Sequence, residues 1–259
     1  MKMVDAALAK GMDRESILRN GLRAVLVSPQ FLYFYENRGR LDGYALASRL
    51  SYFLWSTMPD KELLELAAKG RLREPKTLRH QVDRMLADKK SNTFVHNFTN
   101  RWLELYKLGT MPPDAKGFGA WYYRGQLERN APEETVRFFR HLLDENLSVR
   151  NFIDSDFAFV NYPLAKLYGI KGVKSRAFEK VTLQDKRRGG LLGQASVLTT
   201  SANGIDTSPV IRGVWVLENL LGTPPSPPPD NVPAIEPDIR GTTTIRDQLA
   251  KHREVESCA

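Results

Sequence analysis

Apolar residues recur every three or four positions through the first two-thirds of this chain, and that spacing restricts the possible folds more than any other feature. Side chains at this spacing share one face of an α-helix, which must pack against another element to leave water. The predicted helices before residue 150 have apolar faces that include Leu22, Leu50, Leu63, Met85, Phe98 and Phe139. The pattern therefore predicts a mainly α-helical protein.

Capping and stop residues predict where several of these helices begin and end. Asp42 and Asp60 are suited to cap the second and third helices, because a carboxylate there accepts a free backbone N–H. Gly70 follows the third helix, at a position where glycine readily ends a helix. Pro75 and Pro132 each suit a first turn, which needs no backbone donor. The sixth helix is therefore predicted to begin at Pro132.

After about residue 150 the sequence changes from long helical patterns to short, mixed ones. Residues 157–160 and 178–183 partly alternate between apolar and polar side chains, which predicts a small pair of β-strands. A short helix is predicted over 164–168 and a longer one over 189–198. The C-terminal third is therefore predicted to hold a small β element beside further helices.

A further helix start and a run of prolines follow. Ser208 and Pro209 provide an N-cap and a first-turn proline, and Gly222 is placed to end that helix. Arg212 can brace the turn or bind a ligand, and bracing is the preferred interpretation. Residues 224–229 are proline except for one serine, which predicts a polyproline II segment in place of a helix or central strand.

The composition is ordinary for a soluble globular protein, with 42% hydrophobic and 26% charged residues in a chain of 259. No apolar run approaches the roughly 20 residues that a membrane-spanning helix needs. The N-terminus of this chain lacks the basic and then apolar pattern of a signal peptide. The single cysteine excludes an internal disulfide and leaves the redox compartment open.

The net charge of +8 is concentrated in one segment. Residues 166–188 contain eight Lys and Arg side chains against two carboxylates, so they supply six of the eight net charges. A localised basic patch attracts nucleic acid, an anionic polysaccharide or an acidic partner, whereas a solvated lysine-rich loop is the simpler interpretation. Nucleic-acid binding is not expected, because no zinc-finger, helix-turn-helix or RNA-binding motif accompanies the charge.

The end of this basic segment is a candidate anion-binding site. Arg187, Arg188, Gly189 and Gly190 stand where a helix is predicted to begin. Free backbone N–H groups at a helix start and two guanidinium groups together suit an anion. The alternative is that the arginines pair with a carboxylate of the chain, such as Asp185.

Other chemistry has little support in the sequence. The four histidines, His80, His96, His141 and His252, are far apart, so no metal site is predicted. No nucleotide-binding or hydrolase fingerprint is present, and no catalytic residue is assigned. Residues 121–123, Trp-Tyr-Tyr in a glycine-rich region, are a better candidate for exposed stacking than the aromatics at helical spacing.

Two carboxylate pairs are interpreted as structural. Glu133 and Glu134 are placed at a predicted helix N-terminus, where acidic side chains are favourable, and Asp154 and Asp156 in a turn. A glycoside hydrolase needs two carboxyl groups roughly 5–10 Å apart across a cleft, which sequence neighbours rarely provide. Glycoside hydrolysis therefore stays a hypothesis that requires two buried carboxylates facing one cleft.

Many segments of the chain together resemble one known family. The matching segments are 28–33 (SPQFLY), 46–55 (LASRLSYFLW), 58–60 (MPD), 84–88 (RMLAD), 97–98 with 102–103, 159–161 with 164–165 and 168–169, 188–192 (RGGLL), 207–210 (TSPV), 212–217 (RGVWVL) and the proline run after 221–222. They are similar to the large exported proteins abundant in planctomycetes, which combine domains of unknown function with cytochrome c-type haem modules. The resemblance covers nearly the whole chain.

The resemblance implies three consecutive modules. Residues 1–40 would form a short N-terminal helical module, 41–170 a central helical module of unknown function, and 171–259 a C-terminal module with a haem motif. It also implies that the chain is an internal fragment of a longer protein, whose export signal precedes Met1. The full-length protein is accordingly expected in the periplasm or outside the cell.

The resemblance also gives Cys258 a role. In the family pattern, His-Arg is followed by Cys-x-x-Cys-His, in which two cysteines attach haem c and the histidine ligates its iron. His252, Arg253 and Cys258 fall on the first half of this pattern. The second cysteine and the ligating histidine are absent. Haem c is therefore expected for the full-length protein, and no haem is expected to attach to this truncated chain.

Two main functions follow as hypotheses. The first is the scaffold of an exported c-type cytochrome-like protein, acting with a redox partner in electron transfer or in redox chemistry linked to polymer breakdown. The alternative is a non-catalytic binding module for an anionic polysaccharide or a partner protein, through residues 166–188.

Overall fold

The structure is a computed structural model that describes residues 9, 11–33, 36, 38–110, 113–114, 116, 122–202, 209–226, 244, 246–247 and 250. Within them the protein is mainly α-helical and contains one two-stranded sheet, which confirms the predicted fold class. The chain divides into two compact units, Met1–Phe94 and Val95–Ala259. The three modules implied by the family resemblance stay a prediction.

The helices of the first unit include three that begin at the predicted residues Asp42, Asp60 and Pro75. The helices of this unit are α1 (Arg14–Leu26), α2 (Pro29–Leu32), α3 (Gly43–Trp55), α4 (Lys61–Ala68) and α5 (Pro75–Ala87), followed by a 3₁₀ turn at Lys89–Ser91. The carboxylate of Asp42 accepts a 2.7 Å hydrogen bond from the Ala45 N–H, and that of Asp60 a 3.0 Å bond from the Leu63 N–H. These bonds satisfy backbone donors that a helix start leaves free.

The core of the first unit gathers one face each of α3, α4 and α5. Its buried members are Ala47, Leu54, Trp55, Leu63, Ala67, Leu72 and Met85. The indole N–H of Trp55 donates a 2.9 Å hydrogen bond to the carbonyl of Met85, so its polar atom is paired inside the core. Arg84 lies over the Trp55 ring and donates two hydrogen bonds, of 2.8 and 3.2 Å, to Asp60. The cap of α4 is thereby tied to α5.

From residue 92 onward helices, strands and 3₁₀ turns follow one another, and most of these elements are short. They are α6 (Asn92–Trp102), α7 (Leu127–Asp144), β1 (Phe157–Val160), α8 (Tyr162–Tyr168), β2 (Glu179–Thr182), α9 (Ala195–Thr200) and α10 (Pro209–Trp215). Short 3₁₀ turns lie at Leu105–Lys107, Val149–Phe152, Lys186–Arg188 and Leu191–Gly193, and a π-helical turn at Val216–Leu220.

The strand pair and the short helix between its two strands form as predicted. Strands β1 and β2 are antiparallel, with Phe157 opposite Thr182 and Val160 opposite Glu179. Helix α8 ends at Gly169, whose φ of 74° suits glycine. Strand β1 packs against α7 and is buried along most of its length, whereas β2 is mainly exposed.

Two apolar clusters form the core of the second unit. One is buried around Leu103, Leu105, Phe138, Leu142, Phe157, Leu191, Val197 and Trp215. The other is buried around Tyr122, Leu127, Ala131, Ala158, Val160, Leu164, Ala165 and Ala195. Helix α7 contributes to both clusters, so it is the central element of this unit.

The start of α7 differs from the prediction. The helix begins at Leu127, and Pro132 lies inside it. A proline within a helix removes one backbone hydrogen bond. The face that packs into the core extends before the proline, with Leu127 and Ala131 buried beside Thr135 and Phe138. Burial of this face offsets the lost bond, because tertiary packing supplies most of the stability of a helix in a protein.

The predicted helix over 189–198 is also wrong in its first half. A 3₁₀ turn at Leu191–Gly193 precedes α9, which begins at Ala195. Gly190 has a φ of 70°, which a right-handed helix does not allow. The glycine pair therefore sets a turn and does not open a helix.

The helix that starts at Pro209 forms, but its last part is a π-helical turn. The indole N–H of Trp102 donates a 2.6 Å hydrogen bond to the carbonyl of Asn219, within Val216–Leu220. Trp102 thus satisfies a carbonyl of the widened turn. Gly222 follows with a φ of 63°, close to the predicted stop.

Several predicted features lie outside the described residues. They are Trp121, Ser208, residues 227–229 of the proline run, His252, Arg253 and Cys258. None of the helices within the described ranges has both the length and the apolarity to cross a bilayer.

Candidate functional site

The basic segment folds around a pocket of about 580 Å³, called here the basic pocket. One side of it is the end of α8 and the loop that follows, and the other is β2 with the loop that follows it. The described residues that line it are Tyr168, Gly169, Ile170, Lys171, Val181, Thr182, Leu183, Gln184, Asp185, Arg187 and Arg188. Lys171 on one side and Arg187 and Arg188 on the other therefore line one concave surface.

Arg187 is paired within the chain with Asp185, which is the second of the two alternatives that the sequence leaves open. Its guanidinium donates a 2.5 Å hydrogen bond to the carboxylate of Asp185, and its backbone N–H donates another of 2.9 Å. These bonds lower the pKa of Asp185, so that carboxylate is ionised at neutral pH. The pair is exposed, and its attraction is weakened by water and salt.

Arg188 is placed differently from its neighbour. Its guanidinium lies over the ring of Tyr168, 4.5 Å from the ring centre, and donates a 3.2 Å hydrogen bond to the carbonyl of Gly193. Among the described residues no carboxylate forms an ion pair with it. Stacking and the carbonyl bond fix the guanidinium plane at the wall of the basic pocket.

Beneath Tyr168 lies a fully buried carboxyl group, that of Glu134 in α7. The Tyr168 hydroxyl donates a 2.5 Å hydrogen bond to Glu134 Oε2 and accepts one of 2.7 Å from the N–H of Ala195. Glu134 Oε1 has no hydrogen-bond partner within the described part of the chain. Helices α7, α8 and α9 therefore meet at a single tyrosine hydroxyl.

Burial controls the ionisation of this group. Loss of water raises the pKa of Glu134 to about 8, against the opposing effects of the Tyr168 hydrogen bond and the Arg188 charge. Burial, and then the neighbouring Glu134 carboxylate, raises the pKa of Tyr168. Glu134 is therefore mainly protonated at neutral pH, and Tyr168 keeps its proton.

The place in a helix that the sequence predicts for Glu134 is wrong. It placed Glu133 and Glu134 in the first turn of a helix, but α7 begins seven residues before Glu134. Only Glu133 is at the surface, where it pairs with Arg137. The signal that identifies Glu134 is its place on the buried face of α7, at helical spacing from Ala131 and Phe138.

Gly190 and Gly193 have a packing role. A Cβ on Gly190 would lie 2.5 Å from the carbonyl oxygen of Ile153, and one on Gly193 would lie 2.7 Å from the backbone of Arg188. Both glycines are buried. The loop that carries Arg187 and Arg188 therefore packs closely on neighbouring backbone. Gly189 and Gly190 line no part of the pocket that the structure describes, and their role in anion binding stays a prediction.

Other residues singled out by the sequence are structural or lie apart from the basic pocket. Arg212 donates hydrogen bonds of 3.1 and 3.4 Å to Ser201 Oγ and the Leu198 carbonyl, so it braces the end of α9. Tyr122 and Tyr123 line a separate pocket and make an edge-to-face pair. In the described part of the chain, no group of three or more His, Cys, Asp or Glu side chains is arranged to hold a metal.

Comparison with protein families gives two matches. Residues 41–170, half of the chain, match PSD4, described as a protein of unknown function (DUF1592). Residues 188–259 match PSCyt3, described as a protein of unknown function (DUF1588). The chain matches no curated protein and no solved structure.

The two matches meet at the basic pocket. Glu134 and Tyr168 lie in the first match, Arg188 is the first residue of the second, and Lys171 lies between them. The resemblance seen in the sequence is thus confirmed at the level of a PSCyt-like family of unknown function. The chain belongs to the PSD4 family, the proteins of unknown function DUF1592, and continues into a segment that matches PSCyt3.

Proposed function

We propose that the protein is a non-catalytic binding module and that its basic pocket holds an anionic polysaccharide. The charge of this pocket carries the proposal. Its described lining brings three cations, Lys171, Arg187 and Arg188, against one carboxylate, Asp185, which leaves two positive charges in excess. A concave surface of one charge sign concentrates the electric field and attracts ligands of the opposite sign.

Arg188 is the side chain best prepared to hold an anion. Of its five N–H donors, one bonds to the Gly193 carbonyl within the described residues, and stacking on Tyr168 fixes the plane of the group. A fixed guanidinium loses little freedom on binding and presents paired donors to a sulfate or carboxylate. The ion pair with Asp185 partly offsets the charge of Arg187, so Arg187 contributes less to anion binding.

The apolar part of the pocket favours a saccharide over a free inorganic ion. Ile170, Val181 and Leu183 line the same surface as the cations. Apolar side chains pack against the carbon faces of a sugar ring, whereas they offer nothing to a small hydrated ion. Sulfated or carboxylated sugars combine anionic groups with apolar carbon faces.

Retention on immobilised heparin tests this proposal. The wild-type chain should bind at about 0.15 M ionic strength, where exposed charges act over roughly 8 Å. Charge reversal at Arg187 and Arg188 together should abolish retention, and Lys171→Glu should lower the salt needed for elution. Lys174→Glu is the matched control, because Lys174 is an exposed cation of the same loop and does not line the pocket. Equal effects of the two lysine variants, or no retention of wild type, contradict the proposal.

A second function is proposed for the protein in which the haem motif is complete. The match to PSCyt3 favours it, because this match includes His252 and Cys258. We propose that such a protein is an exported c-type cytochrome, found in the periplasm or outside the cell, with the helical units as its scaffold. A c-type haem needs two cysteines and a histidine, and the present chain has one cysteine, so this chain alone does not fit the group.

The haem proposal has a direct test. The DNA downstream of codon 259 should encode x-Cys-His, and the extended protein should show covalent haem absorbance after expression with haem-attachment machinery. Cys258→Ser in the extended protein is the control, since it removes one thioether and should reduce covalent attachment. A downstream sequence without Cys-His removes this function and leaves the polysaccharide proposal untouched.

A further inference from the structure

The basic pocket and the buried carboxyl group of Glu134 are connected through two side chains. Arg188 forms part of the pocket wall and lies over the ring of Tyr168, and the hydroxyl of that same ring bonds to Glu134. A charge on Glu134 therefore acts on the cation best placed to receive the ligand. The connection consists of side chains in direct contact.

We propose that anion binding in the basic pocket is coupled to proton uptake by Glu134. This inference rests on the proposed binding function and adds a regulatory property to it. When Glu134 is ionised, its negative charge opposes that of an incoming anion and attracts Arg188. When Glu134 is protonated, both this repulsion of the anion and this attraction of Arg188 are absent. By reciprocity, a bound anion favours the protonated form of Glu134.

The surroundings of Glu134 leave few other groups to compete with this coupling. The neighbouring helix α8 presents Tyr168, the loop before α9 presents Arg188, and α9 presents the Ala195 N–H. Strand β1, which also packs against α7, carries no titratable side chain. On α7 itself, Glu133 and Arg137 pair with each other at the surface. Among the described residues, Arg188 is thus the cation whose charge acts on Glu134.

The geometry also explains how one carboxyl group accommodates both states. Tyr168 donates to Oε2, so the proton of the neutral acid resides on Oε1, the atom without a partner in the described residues. Ionisation leaves the Tyr168 bond in place and strengthens it, because the acceptor becomes charged. The change between states is therefore electrostatic and needs no rearrangement of helices.

Calorimetric titration with a heparin-derived tetrasaccharide tests the coupling. Its sulfate and carboxylate groups stay ionised above pH 7, so the probe itself takes up no proton. Titration at pH 8 in two buffers of different ionisation enthalpy measures the protons taken up on binding. Wild type should take up a fraction of one proton, and Glu134→Gln should take up less. Between pH 7 and pH 9 the Kd should rise about fivefold more in wild type than in Glu134→Gln, the low end of typical coupling.

A matched pair of pocket variants keeps the test decisive if Glu134→Gln folds poorly. Arg188→Gln and Lys171→Gln each remove one cation from the pocket wall, but only Arg188 acts on Glu134. Measured per tetrasaccharide bound, at concentrations that saturate each variant, proton uptake should persist in Lys171→Gln and disappear in Arg188→Gln. Equal uptake in the two variants, or in Glu134→Gln and wild type, overturns the coupling while the binding function stands. Absence of wild-type binding at every pH overturns the binding function itself.

Discussion

The hydroxyl of Tyr168 donates a 2.5 Å hydrogen bond to Glu134, a residue 34 positions earlier in the chain with no exposed surface. The same oxygen accepts the N–H of Ala195. This bond joins two residues of the PSD4 match, and the Ala195 N–H belongs to the PSCyt3 match. The relationship makes the second unit sensitive to pH and to small changes at either side chain.

Stability should fall as the pH rises toward the pKa of Glu134. That pKa is about 8 in the folded state and near 4.5 in the unfolded state, so the folded protein binds more protons between these values. The stabilising effect of the raised pKa is fully present below about 4.5 and is lost as the pH passes through about 8. Urea denaturation at pH 5.5, 7 and 9 should show this decline.

The variant Glu134→Gln isolates that effect, because its amide resembles the neutral acid. It should match wild type only below about pH 4.5, be more stable than wild type already at pH 5.5, and exceed wild type most at pH 9. A decline of equal size in both proteins assigns the pH dependence to other groups.

Removing the Tyr168 hydroxyl should destabilise the second unit. Tyr168→Phe leaves the Ala195 N–H and Glu134 Oε2 without the partner they have now. An unpaired buried donor or acceptor costs about 1–3 kcal/mol. Thermal or urea unfolding measures the loss. Tyr162→Phe is a control of the same chemical change on an exposed residue of α8, and it should change stability little.

Gly190→Ala should be strongly destabilising. Its new Cβ would lie 2.5 Å from the carbonyl oxygen of Ile153, and the residue has a φ of 70°. Gly172→Ala is a matched control, because Gly172 also has a positive φ, of 95°, but no atom lies within 4 Å of its Cβ position. Overpacking typically costs about 1–3 kcal/mol, and this should be the excess of the first variant over the second. Similar free energies of unfolding for both variants contradict the close packing.

Asp60 should contribute to the first unit both as a helix cap and as an ion-pair partner. Asp60→Ala removes the bond to the Leu63 N–H and the contacts with Arg84, while Asp60→Asn retains a capping oxygen. Loss of a cap costs about 1 kcal/mol, so the alanine variant should be the less stable of the two in urea.

The pH dependence of Asp60 runs opposite to that of Glu134. Burial raises the pKa of Asp60, but the hydrogen bonds from Arg84 and Leu63 outweigh it and hold this pKa below 3.8. Its stabilising effect is present above the usual pKa and is lost as the pH falls through the lowered one. Asp60→Asn should accordingly show a weaker loss of stability on acidification than wild type.

The local signals in the sequence predict much of the fold. Asp42, Asp60 and Pro75 begin their helices as expected, because a side chain that bonds or spares a nearby backbone donor acts over three or four residues. The strand pair and the stop at Gly169 follow for the same reason. Pro132 and the glycines at 189–190 were misleading, since their local preference gave way to burial of α7 and to close backbone packing.

Only part of the candidate site can be predicted from the sequence. The charge of residues 166–188 and the choice between a free and a paired arginine both follow from composition and spacing. The different contacts of Arg187 and Arg188 do not follow from composition and spacing, because Tyr168 lies 20 positions from Arg188 along the chain. The sequence places Glu134 at a helix end, because the long-range contacts that bury it cannot be identified from local spacing.

The sequence by itself determined a mainly helical protein with a small strand pair, a basic segment and membership of a recognisable family, since these depend on periodicity, local capping and motif order. The tertiary structure decided which cation faces a pocket and which carboxyl group loses water. Both depend on residues far apart in the chain, and the energy of a charge is set by what surrounds it in space. The coupling of Glu134, Tyr168 and Arg188 is therefore a property of the fold.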